Sequence, residues 1–127
     1  MLLESDVFVA YLKTSDRLKD TATEILRMIK EGTMHAQASS ELLHELYYVF
    51  SDFAPLSTIK ANFAKIVTIP NLRFIHPTCE TYIMAIHLAE TFNIASIFNA
   101  IHAATTLESE VPDHTIISTD KVYDRVA

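Results

Sequence analysis

Apolar positions along this chain fall into short runs and into stripes at helical spacing, and the two kinds alternate. Met1 to Leu3 forms a short run that ends at Glu4-Ser5-Asp6, with Val7, Phe8, Val9, Tyr11 and Leu12 beyond it. That pattern predicts a buried strand running into a turn, where Ser5 or Asp6 can cap a short helix. Residues 16–31 place Leu18, Ala22, Ile25, Leu26 and Ile29 at helical spacing, and Gly32 supplies the stop. A short segment, Met34 to Ala38, then reaches the pair Ser39-Ser40. A second long helix starts there, with Leu42, Leu43, Leu46, Val49 and Phe50 as its expected buried stripe and Pro55 as its end. Ser57 is placed to cap another helix, carried by Ile59, Phe63, Ile66 and Val67 up to Pro70.

Leu72 to Ile75, β-branched and aromatic between Pro70 and Pro77, reads as the next strand. Helices follow over about Thr78 to Phe92 and about Ser96 to Leu107. Pro112 precedes the last apolar strand, Thr115 to Ile117, which ends at Ser118-Thr119-Asp120; Lys121 to Val126 closes as a short helix. Strands alternating with helices imply an α/β fold with a mostly parallel sheet covered on both faces. No Gly/Ser/Pro-rich linker or repeat interrupts the chain, so residues 1–127 are expected to form a single domain.

Composition narrows the function. The 127 residues are half hydrophobic, enough for one packed core. A single glycine, Gly32, excludes the G-x-G-x-x-G fingerprint, the P-loop and the G-x-S-x-G elbow, each of which needs at least two. His44-Glu45 begins an H-E-x-x-H motif, but Tyr48 stands where the second histidine belongs. One cysteine, Cys79, rules out an internal disulfide and a multi-cysteine zinc site. The net charge of −6 disfavours duplex binding through a broad basic face, but it does not exclude a nuclease whose acids are spent on holding metal ions. Without a basic leader or a long apolar stretch, the expectation is a cytoplasmic protein with no membrane span.

In open parallel sheets, ligands bind beyond the carboxyl ends of the strands, at a switch in strand order. Glu4 and Asp6 follow the first strand; Thr119 and Asp120 follow the last. Glu45 lies in the second turn of the helix opened by Ser39-Ser40, on roughly the face of Glu41 in an otherwise apolar helix, and glutamate is seldom buried without a partner. Asn99 lies near the start of its own helix. Oxygen donors of this kind suit Mg²⁺ or Mn²⁺, and carboxylates that converge repel one another unless a cation lies between them. Zn²⁺ is disfavoured, since no thiolate or paired imidazoles accompany the oxygens.

These segments, in this order, resemble the PIN-domain ribonucleases, including the toxin components of toxin–antitoxin pairs. The family opens with an apolar strand and D-[ST]-[DNS]-[VI], matched here by Glu4-Ser5-Asp6-Val7. Its second acid lies a few residues after a helix-opening serine, as Glu45 does. Its third opens D-A-x-x-A-A, here Asn99-Ala100-Ile101-His102-Ala103-Ala104. Its fourth motif, [ST]-x-D after an apolar strand, is Ser118-Thr119-Asp120, with Asp124 beyond. Two residues depart from the family: Glu4 replaces the usual first Asp, and Asn99 replaces another.

The resemblance implies a three-layer α/β/α sandwich and Mg²⁺- or Mn²⁺-dependent RNA cleavage. Glu4, Asp6, Glu45, Asn99 and Asp120 would be its catalytic and metal-binding residues. Ser5, Ser118, Thr119 and Asp124 would contact substrate or support the ligands. RNA is the implied substrate, an antitoxin the possible partner and a homodimer the expected assembly, the last because helices 42–50 and 59–67 are rich in apolar residues. The competing reading is a catalytically weakened module that binds RNA or a protein partner. Plainer roles compete residue by residue: Asp6 and Asn99 as helix caps, Glu41 as a surface acid, Asp124 as an exposed helix acid, Cys79 as a packing group, Tyr47 and Tyr48 as core or interface, and His102, which shares the Asn99 face and could touch substrate, as packing.

Overall fold

The structure, a computed structural model, describes residues 1–126. Its centre is a four-stranded, wholly parallel sheet of β1 (Leu2–Leu3), β2 (Ala36–Ser39), β3 (Leu72–Ile75) and β4 (Ile116–Ile117), in the order β3-β2-β1-β4. Leu2 is in register with Gln37 on one side and Ile116 on the other. Thr115 joins the last strand's pairing through its carbonyl, which accepts from the Leu2 amide at 2.8 Å. Six helices cover the sheet: α1 (Ser5–Leu12), α2 (Lys19–Lys30), α3 (Glu41–Ser51), α4 (Leu56–Val67), α5 (Cys79–Phe92) and α6 (Ile97–Thr106). None is long and apolar enough to cross a membrane.

Because side chains alternate across a strand, β1 feeds two cores. Leu3 joins Phe8, Leu26, Ile29, Leu42, Leu46, Phe50, Ile59 and Ile66 under α1 to α4. Leu2 turns to the opposite face with Ile75 and Val111, where α5 and α6 bring Ala85, Leu88, Ala100 and Ile101. The outcome is the α/β/α sandwich expected. Its chain order runs β1 to β2 to β3 in one direction and then returns to place β4 on the far side of β1. The switch in strand order therefore falls between β1 and β4, and the residues after both strands sit at the crevice it opens.

Local details differ from the sequence pattern for identifiable reasons. Ser5 and Asp6 do not cap α1; they lie inside it, and Glu4 is the flanking residue, its side chain engaged elsewhere. Pro55, with its extended backbone, starts α4 without help from Ser57. The buried stripe of α3 is the strict i, i+4, i+8 set Leu42, Leu46 and Phe50, so Val49 is exposed and Leu43 half-buried. Val67 is likewise exposed. Cys79, read as a buried group, is exposed at the first position of α5, where Thr78 and Thr81 form a reciprocal capping box. The final segment, Lys121–Arg125, is a 3₁₀ turn.

Candidate functional site

The end of β1 delivers Glu4 into the crevice almost completely buried, at 4% exposure. Its Oε1 accepts from the Ser5 hydroxyl at 2.6 Å, and its Oε2 from the Ser118 hydroxyl at 3.0 Å. Burial pushes the Glu4 carboxyl above the ordinary range; the Ser5 hydrogen bond and His102 pull against that, while Asp6 and Glu45 add to it.

Asp6, one residue into α1, holds the segment after β4 in place. Its Oδ2 accepts from the Thr119 amide at 2.5 Å and hydroxyl at 2.6 Å, with Ser118 Oγ at 3.3 Å. Its Oδ1 is buried with no hydrogen-bond partner. Ser118 is the hub: besides facing both acids, its Oγ accepts from the Asp120 amide at 2.9 Å. A hydroxyl carries one proton, so it fully serves only one of the two carboxylates that flank it.

Asp120 caps the 3₁₀ turn, its Oδ1 accepting from the Val122 amide at 2.9 Å, and its Oδ2 accepts from Asn99 Nδ2 at 3.1 Å. Asn99 is not the cap of α6. That role belongs to Ser96, whose hydroxyl accepts from the Asn99 amide, leaving the Asn99 side chain free to face Asp120. Tyr123 donates its hydroxyl to Asn99 Oδ1 at 3.3 Å. Burial first, and then the charges of Glu4, Glu45, Asp120 and Asp6, push the Tyr123 phenol far up, so it stays a protonated donor.

Glu45 projects from α3 toward α6. Its Oε1 lies 2.9 Å from Nε2 of His102, which is fully buried, and that same nitrogen lies 3.8 Å from Glu4 Oε1. Glu4, Glu45 and His102 each offer one donor atom, all within 4.8 Å of one another. Among the described residues, no lysine or arginine pairs with Glu4, Asp6, Glu45 or Asp120. An acidic crevice of carboxylates joined by one imidazole, with no lysine or arginine paired to it among the described residues, fits what a divalent cation needs.

Glu4, Ser5, Asp6, Asn99, Ser118, Thr119 and Asp120 are thus tied together by direct hydrogen bonds or through Ser118, and Glu45 joins them through His102. Asp124 does not join them. It is exposed and lines a separate depression with Thr106 and His114. Glu41 is half-buried rather than a free surface acid: His44 Nδ1 lies 3.1 Å from it and the Tyr82 hydroxyl donates to it at 3.1 Å. His102, one helical turn from Asn99 and on its face, lies against Glu45 and Glu4 instead of serving only as packing. Tyr123 follows Asp120 by three residues, and only the 3₁₀ turn brings it back to Asn99.

No protein-family model matches the chain, and no curated protein matches it in sequence. Solved structures do. The chain is similar to Mycobacterium tuberculosis VapC20, described as a sarcin-ricin loop cleaving toxin, with a TM-score of 0.77, 14% identity, and coverage of 98% of this chain and 93% of that one. It is also similar to VapBC2 of Rickettsia felis, solved bound to a DNA fragment from its promoter, with a TM-score of 0.72, 14% identity, and coverage of 98% and 91%. At that identity the likeness speaks for architecture, over nearly the full length of both chains: this protein has a PIN-like α/β/α fold.

Proposed function

We propose that this chain is a PIN-domain endoribonuclease that hydrolyses RNA phosphodiesters with Mg²⁺ or Mn²⁺ held by Glu4, Asp6, Glu45, Asn99 and Asp120. The observation that carries the reading is the convergence of these residues, from four separate stretches of chain, on the switch point of the sheet, with no lysine or arginine paired to their acids among the described residues. Divalent cations there would activate a water for in-line attack and neutralise the phosphate. The protein's own part is orientation. Ser118 and Thr119 fix Glu4 and Asp6, Asn99 holds Asp120, and the Tyr123 hydroxyl holds Asn99. Activity requires a labelled RNA panel to be cut by the purified protein only when Mg²⁺ or Mn²⁺ is added; cleavage that persists in EDTA would count against it.

A regulated toxin is the biological setting this reading favours. VapC20 is a toxin, and VapBC2 names a two-component complex. An antitoxin peptide offering an arginine to the acidic crevice would occupy the place of the cation through charge-assisted hydrogen bonds. A homodimer is the assembly we infer, supported by the apolar side chains that α5 leaves in solvent, Ile83 at 70% and Ile86 at 59% exposure. One observation favours the second reading, a weakened module that binds without cutting: an amide at position 99 stands where the family carries a carboxylate.

A further inference from the structure

We propose that His102 supplies a nitrogen ligand beside Glu4 and Glu45, and that this biases the centre toward Mn²⁺, Co²⁺ and Zn²⁺ over Mg²⁺. The proposal rests on the cation-dependent reading above and corrects its all-oxygen donor set. Two ligands each bound at 2.0–2.2 Å to one first-row cation stand about 3–4 Å apart. His102 Nε2 lies 3.8 Å from Glu4 Oε1, an edge of that size, and 2.9 Å from Glu45 Oε1, a hydrogen bond that a cation between the two atoms would replace with a slight widening. Rigidity supports the assignment as well. His102 sits fully buried in α6, among Ile101, Ala103 and Ala104, and Glu4 is nearly as buried, so neither donor needs to be drawn in from solvent.

Charge and donor softness then decide between cations. Two carboxylates and a neutral imidazole balance a divalent ion, which offsets the charge absent at Asn99. Imidazole binds Zn²⁺ and its first-row neighbours well, whereas Mg²⁺ prefers oxygen. A ligating Nε2 puts the ring proton on Nδ1, and Nδ1 is buried without a partner. That unsatisfied group opposes coordination and sets the affinity below that of a site whose imidazole is supported by a second hydrogen bond.

The test is calorimetric titration of Mg²⁺, Mn²⁺, Co²⁺ and Zn²⁺ into EDTA-stripped protein, comparing the parent chain with His102→Gln and His102→Leu, each checked for folding by circular dichroism. Glutamine keeps a hydrogen-bond donor near Glu45 but is a poor ligand. The expected result is a Zn²⁺ and Co²⁺ preference in the parent that both variants lose by about tenfold or more, with Mg²⁺ affinity nearly unchanged. Visible absorption of the Co²⁺ form should change in both variants. A loss equal for all four cations and restored by glutamine would overturn the proposal and make His102 a positioning residue for Glu45. Mg²⁺ binding as tight as Zn²⁺ in the parent would overturn it while leaving the nuclease reading intact; no binding of any cation would overturn both.

Discussion

Asn99 donates its amide to Asp120 Oδ2 at 3.1 Å, so a neutral group holds a carboxylate at a position where a second acid would repel it. The amide keeps this edge of the crevice stable without a cation and, by the same token, lowers the charge available to bind one. Replacing Asn99 by Asp reverses both effects. Two unit charges about 4 Å apart repel by about 1 kcal/mol in water and about 4 kcal/mol at an effective dielectric near 20; the exposure of Asp120 favours the lower figure. Asn99→Asp should therefore lower the melting temperature in EDTA by about 2–8 °C, bind Mn²⁺ more tightly than the parent, and gain more in melting temperature when Mn²⁺ is added. Equal Mn²⁺ affinities in the two proteins would remove Asn99 from the cation's surroundings.

Glu4 makes the opposite prediction about charge. Burial raises its carboxyl pKa above the ordinary 4.5, so the folded chain holds that proton more tightly than the unfolded one. Stability from the protonated form is complete below pH 4.5 and is lost as pH rises through the folded-state value. Glu4→Gln stays neutral throughout. In EDTA it should melt above the parent at neutral pH, with the difference shrinking as pH falls toward 4.5, and it should lose cation-dependent cleavage. A variant less stable than the parent at neutral pH would mean that ionised Glu4 is not a burden there.

The hub hydroxyl can be tested by stability alone. Ser118→Ala leaves buried Glu4 Oε2 and the Asp120 amide without their partner. Leaving a buried acceptor unsatisfied costs about 1–3 kcal/mol, which urea unfolding would register as a lower midpoint at unchanged slope. No measurable loss would show that water replaces the hydroxyl freely.

The architecture was legible in the sequence because it depends on spacing. The strand at Leu72–Ile75, the helix from Thr78 to Phe92 and the parallel sheet all follow from apolar periodicity and proline or threonine boundaries. The strand-end acids were legible too, since a parallel sheet dictates where its carboxyl ends gather. What was hidden depends on contacts between distant stretches. His102 meets Glu45 across 57 positions of chain, and Tyr123 reaches Asn99 only through a 3₁₀ turn that periodicity does not announce. Val49 turns to solvent for a related reason: positions on an apolar stripe need not share a face once the helix packs.

Asp120 separates chemistry from scaffold. Its Oδ1 caps the 3₁₀ turn, and asparagine caps about as well as aspartate. Asp120→Asn should keep the circular dichroism spectrum and a melting temperature within a few degrees of the parent, yet abolish cleavage in Mn²⁺. Full activity in this variant would remove Asp120 from the reaction.

On the proposed function, this acidic crevice cuts RNA by means of a divalent cation. A time course settles it: purified protein with labelled RNA in EDTA, then with excess Mn²⁺, then with EDTA restored, run in parallel with Glu45→Gln. The expected course is no product, then product, then arrest in the parent, and no product at any stage in the variant. Cleavage in EDTA, or equal cleavage by Glu45→Gln after Mn²⁺ is added, would contradict it.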